Sequence, residues 1–287
     1  THYKGLVDES GRVVRVGELK DPSNIMEVAL VNVYPPKSSI KDGRVIWDYS
    51  VYTLDFKNCL IPLEIIYRNG LPDGSSVFKR LAQGKVGLQN FGLTHQPCPG
   101  EIFERPIFDV STKLEDVDRY ITWVEAQQIS GLSDLELVEL KELLVKVDEV
   151  ITEAAKNAGL KNEDGKIELA FDEKRRLMLV DVVGTLDECR FTYNGVQVSK
   201  EVARQFYKKT QWYADVEDAK KRAEAEGVID WKLLCKSQPP KLDLTLKRVI
   251  SEMYMSVANE MTGLGLFDSP RLDDVISEYL EYTSERV

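Results

Sequence analysis

Between Lys166 and Val183 the chain writes two adjacent β-patterns, and they restrict its architecture more than any other stretch. Ile167, Leu169 and Phe171 alternate with Lys166, Glu168, Ala170 and Asp172, the period of a strand with one apolar and one polar face. After the polar Asp172–Arg176, the run Leu177–Val183 is apolar except at Asp181. Such a pair needs a cover for its apolar face, and the preceding segment predicts one. Ser133 and Glu136 form a capping box; Leu137, Leu140, Leu144, Val147, Ile151, Ala154 and Ala158 fall on one helical face; Gly159 is a natural stop.

The lone carboxylate in the second strand calls for a counterpart. With a two-residue loop at Lys174–Arg175, Glu168 falls opposite Asp181 on the same face. Carboxylates about 5 Å apart across a sheet repel, so a shared proton, a basic side chain such as Lys166, or a divalent cation must offset them. Mg2+ suits an oxygen-only pair, because it takes one or two protein carboxylates together with substrate phosphates. The competing reading is a longer turn with a solvated edge, since Lys–Arg lacks the Gly or Asn that a two-residue turn favours.

The totals narrow the function classes. A chain of 287 residues, 43% hydrophobic and 30% charged, can bury a sizeable core as one large domain or as two lobes around a cleft. A net charge of −10 argues against nonspecific binding to nucleic acid or to an anionic membrane surface. No apolar stretch approaches the roughly 18 residues of a membrane span, and the first residues lack a basic-then-apolar signal pattern. The four cysteines stand apart, which fits reduced thiols in a cytoplasmic chain. With only His2 and His95, zinc sites and Ser-His-Asp catalysis are poor candidates, leaving carboxylates, Lys, Arg and a hard cation.

Residues 12–70 carry short β-type runs ("RVVRV", "MEVALVNVY", "RVIWDYSVYTLDF", "LIPLEIIYR"), which predict an antiparallel N-terminal β lobe over residues 1–70. Residues 70–118 read as loop-rich. A helix opens at Ser199, "VEDAKKRAEAEG" reads as a charged surface helix, and residues 243–262 and those from about 271 give two more. Strands first and helices later predict an α+β fold, with residues 71–287 as the larger lobe.

Four motifs in order resemble the SAICAR synthetase family, over roughly residues 55–265. "DGKIELAFDEKRRLMLVDVVGTLDECRF" resembles that family's D-x-K-x-E strand, apolar strand with its acidic end and T-P-D-x-x-R turn, through Asp164, Lys166, Glu168, Asp181, Thr185, Asp187 and Arg190. "IPLEIIYRNGLPDGSS" is similar to P-x-E-x-x-x-R-N…G-S, through Pro62, Glu64, Arg68, Asn69, Gly74 and Ser75. "PIFDVSTKLEDVD" matches through Ser111, Thr112, Lys113, Glu115 and Asp118, and "PPKLDLTLKRVISEMYMSVANEMTG" resembles the closing helix.

The resemblance implies a two-lobed fold with an ATP cleft, and an enzyme that uses ATP and Mg2+ to join L-aspartate to the carboxylate of carboxyaminoimidazole ribonucleotide. It implies Glu168 and Asp181 as metal ligands; Arg68, Ser75, Asp118 and Arg190 around the ribonucleotide; and Lys166, Lys113 and Asp187 at the transfer site. The adenine would lie near Leu60, through backbone contacts, with Lys4 in what remains of the Gly-rich ATP loop. Relatives of this kind commonly form dimers or larger assemblies, and the acidic terminal helix could take part.

The departures cluster in the nucleotide lobe. The family's Y-x-G-K-x-K/R-x-x-Y loop is represented at most by "HYKGLVDES", and a following Asp-Gly element by "SSIKDGR" around Asp42. Val182 stands where the family has Glu, Leu186 where it has Pro, and Leu169–Ala170 where it has Phe–Gly; the Arg68–Ser75 loop is one residue longer. These departures leave two alternatives beside the ligase: a paralogue joining another carboxylate and amine, and a weakly catalytic binder of a phosphorylated ligand.

Overall fold

A computed structural model describes residues 1–284 except Pro22, Asp42, Gly43 and Asp73, so the expectation at Asp42 lies outside the described residues. The N-terminal segment forms two small sheets. Strands β1 (Tyr3–Val7), β2 (Val13–Val14) and β3 (Met26–Val28) pair in the order β2-β1-β3, and β4 (Lys37–Lys41) pairs with β5 (Arg44–Asp48). Neither β1 nor β4 stands out in the sequence: β1 is five residues broken by Gly5, and β4 carries polar residues on both faces.

The next strand, β6 (Cys59–Leu71), is almost wholly buried and belongs to the large sheet. A lobe boundary after residue 70 would part this strand from the later strands it pairs with in that sheet. Helix α1 (Ser76–Ala82) and β7 (Glu101–Thr112) occupy the stretch that reads as loop. β7 hides in the sequence because Pro106 interrupts it; the strand lies at the sheet edge, where proline is tolerated, and the pairing with β6 shifts register between Ile102 and Ile107.

Helices α2 (Trp123–Ser130) and α3 (Asp134–Asn157) follow. Ser133 Oγ accepts from Glu136 N at 3.3 Å while Ser133 N donates to Glu136 Oε2 at 2.8 Å, the expected capping box. Leu140, Leu144, Val147, Ile151 and Ala155 form the buried stripe, with Ala155 rather than Ala154 facing inward. Strands β8 (Lys161–Phe171), β9 (Leu177–Val180), β10 (Cys189–Tyr193) and β11 (Val196–Val198) complete an antiparallel sheet of order β11-β10-β8-β6-β7, with β9 also on β8. Helices α4 (Glu201–Lys208), α5 (Gln211–Glu226), α6 (Leu244–Thr262) and α7 (Leu272–Ser284) end the described chain.

The period of two sorts the sheet into an apolar and a charged face. Ile61, Leu63, Ile65, Tyr67, Ile167, Leu169, Phe171 and Phe191 pack with the α3 and α6 stripes in one continuous core. The even-numbered neighbours on β6 and β8, and Arg190 on β10, lie on the opposite face, which α4 and α5 overhang. Among the described residues no helix is long and apolar enough to cross a membrane.

Candidate active site

A cleft of about 660 Å³ opens between the charged face of the sheet and α4–α5. Its floor is Glu64, Ile66 and Arg68 from β6, Asp164 and Lys166 from β8, and Arg190 from β10. Cross-strand registers Glu64↔Glu168, Ile66↔Lys166, Arg68↔Asp164 and Arg190↔Asp164 bring these side chains together.

The register corrects one expectation. Phe171 pairs with Leu177 and Glu168 with Val180, so Asp181 is not the residue opposite Glu168. The reason is the loop. Asp172 Oδ1 accepts from Lys174 N at 2.8 Å and Arg176 N at 2.9 Å, and Arg175 takes a left-handed φ of 60°, which makes a longer Asx-type turn instead of a two-residue one. One extra residue moves every side chain of β9 by one place. Continued in strand geometry, Asp181 would face the core; at a φ of 58° it leaves the strand and is exposed.

The carboxylate facing Glu168 is Glu64, on the other side of β8, and lysines offset the pair. Lys113 Nζ donates to Glu168 Oε1 at 2.6 Å and to Glu64 Oε1 at 3.2 Å, and Lys166 also bonds Glu64. Burial works against the charge on Glu64, but Lys166 and Lys113 outweigh it and hold the carboxyl below its ordinary pKa. Glu168 goes the other way. Burial raises it, Lys113 opposes, and the charge of Asp181 adds to the rise. Burial also opposes charge on Lys113 and Lys166, yet Glu168 and Glu64 respectively lift both amines above their ordinary values.

A second network runs across the sheet. Arg68, 2% exposed, donates to Asp164 and Asp109 at 2.9 Å each; Arg190 Nε meets Asp164 at 2.7 Å, and Arg80 forks onto Asp109. Burial opposes the Arg68 charge, but Asp164 and Asp109 prevail and raise its pKa. Charged pairs this deep require every partner, so losing one leaves an uncompensated ion.

The other expected site residues fall in distinct places. Ser75 is buried as the N-cap of α1, and its neighbours Gly74 and Ser76 face the cleft. Asp118 lines the rim, where desolvation and the Glu64 charge raise its carboxyl pKa. Asp187, exposed at the rim, accepts from Tyr254 Oη at 2.9 Å. Lys4 is exposed and pairs with Glu27 at 3.4 Å, so β1 does not bring it to the cleft wall. Leu60 packs with Ala170 and Val180 in a small apolar patch flanked by Val31, Leu114 and Met178, and its amide already donates to the Asn32 carbonyl at 2.8 Å.

The cleft roof escapes a reading centred on the sheet. Lys200 at the N-cap of α4, and Arg204 and Lys208 within it, recur at four-residue spacing, with Tyr207, Trp212 and Trp231 beside them. That basic stripe was the available signal. Desolvation lowers the Lys200 pKa, against the pull of Glu188.

Among the described residues no three His, Cys, Asp or Glu side chains are grouped to hold a metal. The carboxylates around Glu168 are Glu64, opposite it on β6, and Asp181, whose charge adds to the burial that raises Glu168. Oxygen donors of this type are those Mg2+ takes together with phosphate oxygens, and Lys113 bonds Glu168 in this structure.

The profile of the SAICAR synthetase family matches residues 50–224. The chain belongs to the SAICAR synthetase family. A putative phosphoribosylaminoimidazole-succinocarboxamide synthase of Archaeoglobus fulgidus is 48% identical over 281 residues, covering 98% of this chain and 80% of that protein. The phosphoribosylaminoimidazole-succinocarboxamide synthase of Thermoplasma acidophilum is 34% identical over 71% of this chain and 68% of its own. A SAICAR synthase structure from Saccharomyces cerevisiae, complexed with SAICAR, aligns with a TM-score of 0.50 at 24% identity, over 76% of this chain and 63% of that one, a likeness of fold. The SAICAR synthetase profile begins at residue 50, past both small N-terminal sheets, where the sequence departs most from the family pattern.

Proposed function

We propose that this SAICAR synthetase family member joins L-aspartate to the carboxylate of carboxyaminoimidazole ribonucleotide at the expense of ATP. One observation carries the reading: Lys113 and Lys166 straddle Glu64 and Glu168 on the same sheet face that holds Arg68 and Arg190 against Asp164. A carboxylate must be activated before an amine can displace oxygen from it. Transfer of the terminal phosphoryl group of ATP gives an acyl phosphate and ADP. The aspartate amine then attacks the acyl carbon, the C–N bond forms, the bond to phosphate breaks and the amine loses a proton. Both steps gather negative charge on phosphoryl oxygens, and fixed cations in a partly dry cleft stabilise that charge without reorganising.

Lys113 and Lys166 are those cations, kept protonated by their carboxylate partners. Arg68 and Arg190, with the turn around Ser75 and with Asp118, would hold the ribonucleotide, and Asp187 at the rim would take the amine proton. Glu168 and Asp181 would hold Mg2+, which supplies charge neutralisation for the phosphates. The apolar patch of Leu60, Ala170 and Val180, beside Glu168, would receive the adenine.

The test is ADP release in a coupled assay. Release that requires both the imidazole carboxylate ribonucleotide and L-aspartate is expected. Release only with another carboxylate would identify a paralogue, and failure to bind Mg-ATP by calorimetry would leave a non-catalytic binder.

A further inference from the structure

Arg80, on the inner side of α1, is 7% exposed and reaches Arg68 through one intervening side chain, Asp109. Its guanidinium does two things at once. Edge-on, it forks onto Asp109, with Nη1 to Oδ1 at 3.2 Å and Nη2 to Oδ2; Asp109 in turn takes Arg68 at 2.9 Å. Face-on, it lies 3.9 Å from the centroid of the Tyr120 ring. Tyr120 Oη accepts from Ser76 Oγ at 3.0 Å, and both residues line the cleft.

Tyr120 ends the loop that begins at Lys113. That loop is tied at its ends, with Thr112 N donating to Arg119 O at 2.9 Å, Ile121 N to Val110 O at 3.1 Å, and a bridge between Ser111 and Tyr120. Lys113 and Asp118 sit inside it. Arg80 therefore links the two parts that must hold register for the reaction: the buried cation Arg68, through Asp109, and the loop carrying Lys113 and Asp118, through Tyr120.

We propose that Arg80 is a positioning residue for the ligation, fixing Arg68 through Asp109 and the 113–120 loop through Tyr120. The proposal rests on the ligase reading above. Arginine is required because only a planar guanidinium can fork onto a carboxylate and stack on a ring together; lysine keeps the charge but loses the stack and the fork. Arg80 Nε has no partner among the described residues, so the side chain is placed by its fork and its stack rather than by saturated hydrogen bonding.

Steady-state kinetics on the full chain test this. Displacing a binding group by about an ångström costs up to about 100-fold, so Arg80→Lys should raise the KM for the imidazole ribonucleotide by at least about 10-fold, with the KM for ATP unchanged within about twofold. Tyr120→Leu should reproduce that split, and Tyr120→Phe, which keeps the ring, should restore it. The double variant Arg80→Lys/Tyr120→Leu should be within about twofold of the worse single variant. Should Arg80→Lys fail to fold, the comparison of Leu with Phe at Tyr120, on the cleft rim, decides alone.

An unchanged ribonucleotide KM, an equal rise in both KM values, or multiplicative effects in the double variant would overturn the proposal. If the wild-type chain shows no aspartate-dependent ADP release, the ligase reading fails separately, and calorimetry with ribose 5-phosphate takes over. At least about tenfold weaker binding in Arg80→Lys and Tyr120→Leu supports the role of Arg80. Equal binding, or none to the wild-type chain, removes it.

Discussion

At Glu168 two demands conflict. Burial and Asp181 disfavour its charge, while Lys113 supports it, and the balance leaves the carboxyl above its ordinary pKa of 4.5. A group whose folded pKa is raised gives its stabilisation below the unfolded value and loses it as pH rises through the folded one. Near neutrality, then, the ionised Glu168 costs the folded state, and Glu168→Gln should melt no lower than the parent in the absence of ligands. The same change should lower turnover by roughly 100-fold or more, as expected for removal of one preorganised charge at a reacting centre. A variant that melts lower and turns over normally would remove Glu168 from the metal site. Asp118 is raised as well, by desolvation and then by Glu64, so the acid limb of kcat/KM should lie above the ordinary aspartate value of 3.8. A pH–rate profile with its acid limb at or below 3.8 would contradict that. These residue types were legible from sequence, because a carboxylate in an apolar run demands a counterpart. Which residue answers was not: Glu64 and Lys113 lie about a hundred and about fifty residues away, and only the register reveals them.

Elements built on local signals match the sequence; those built on turn chemistry or edge position do not. The capped helix α3, the closing helix α6 and the alternation in β8 were readable because period and caps agree. A two-residue loop puts the β8–β9 register off by one, because Asp172 supplies an Asx turn instead, and β7 hides because Pro106 reads as a breaker away from an edge. Gly165 shows why side-chain volume matters at this level. A Cβ there would meet Tyr67 Oη at 2.3 Å and Cys189 Sγ at 2.8 Å, both buried on the core face, where burial pushes the Cys189 thiol up to about 12. Those two side chains occupy the place of a residue at 165. Gly165→Ala should therefore destabilise the chain by about 1–3 kcal/mol through overpacking, measured by urea unfolding. A neutral result would mean that β8 and β10 part more easily than their packing implies. Asp172→Ala should lower the urea midpoint slightly, by removing the acceptor of the Lys174 and Arg176 amides, with the register retained because the apolar faces of β8 and β9 enforce it.

Across the whole molecule, stability is unevenly shared. The large sheet buries its strands against α3 and α6, whereas β4 is exposed throughout and Ile25, Leu30, Val33 and Ile40 in the N-terminal region are 58%, 84%, 51% and 66% exposed. Among the described residues the joining hydrogen bonds include His2 N to the Leu179 carbonyl at 2.8 Å, Leu60 N to the Asn32 carbonyl at 2.8 Å, Asn32 N to the Asn58 carbonyl at 3.1 Å and Tyr52 Oη to the Tyr34 carbonyl at 2.8 Å. The first two flank the apolar patch proposed for the adenine, one on β9 and one on β6. A segment with little buried apolar surface opens at low cost, and a ligand that bridges it to the large sheet stabilises the closed arrangement by mass action. Hydrogen exchange followed by mass spectrometry should therefore show the amides of residues 2–41 exchanging far faster than those of β6 and β8. Saturating Mg-ATP should slow exchange in peptides containing His2, Ala29 and Leu60, while leaving α7 unchanged. Ribose 5-phosphate, which would engage Arg68 and Arg190 alone, should protect β10 and the start of α1 but not residues 2–41. If Mg-ATP protects only the Arg68 side of the sheet, the nucleotide does not lie between the N-terminal strands and β9, and the placement of the adenine at Leu60 falls with it.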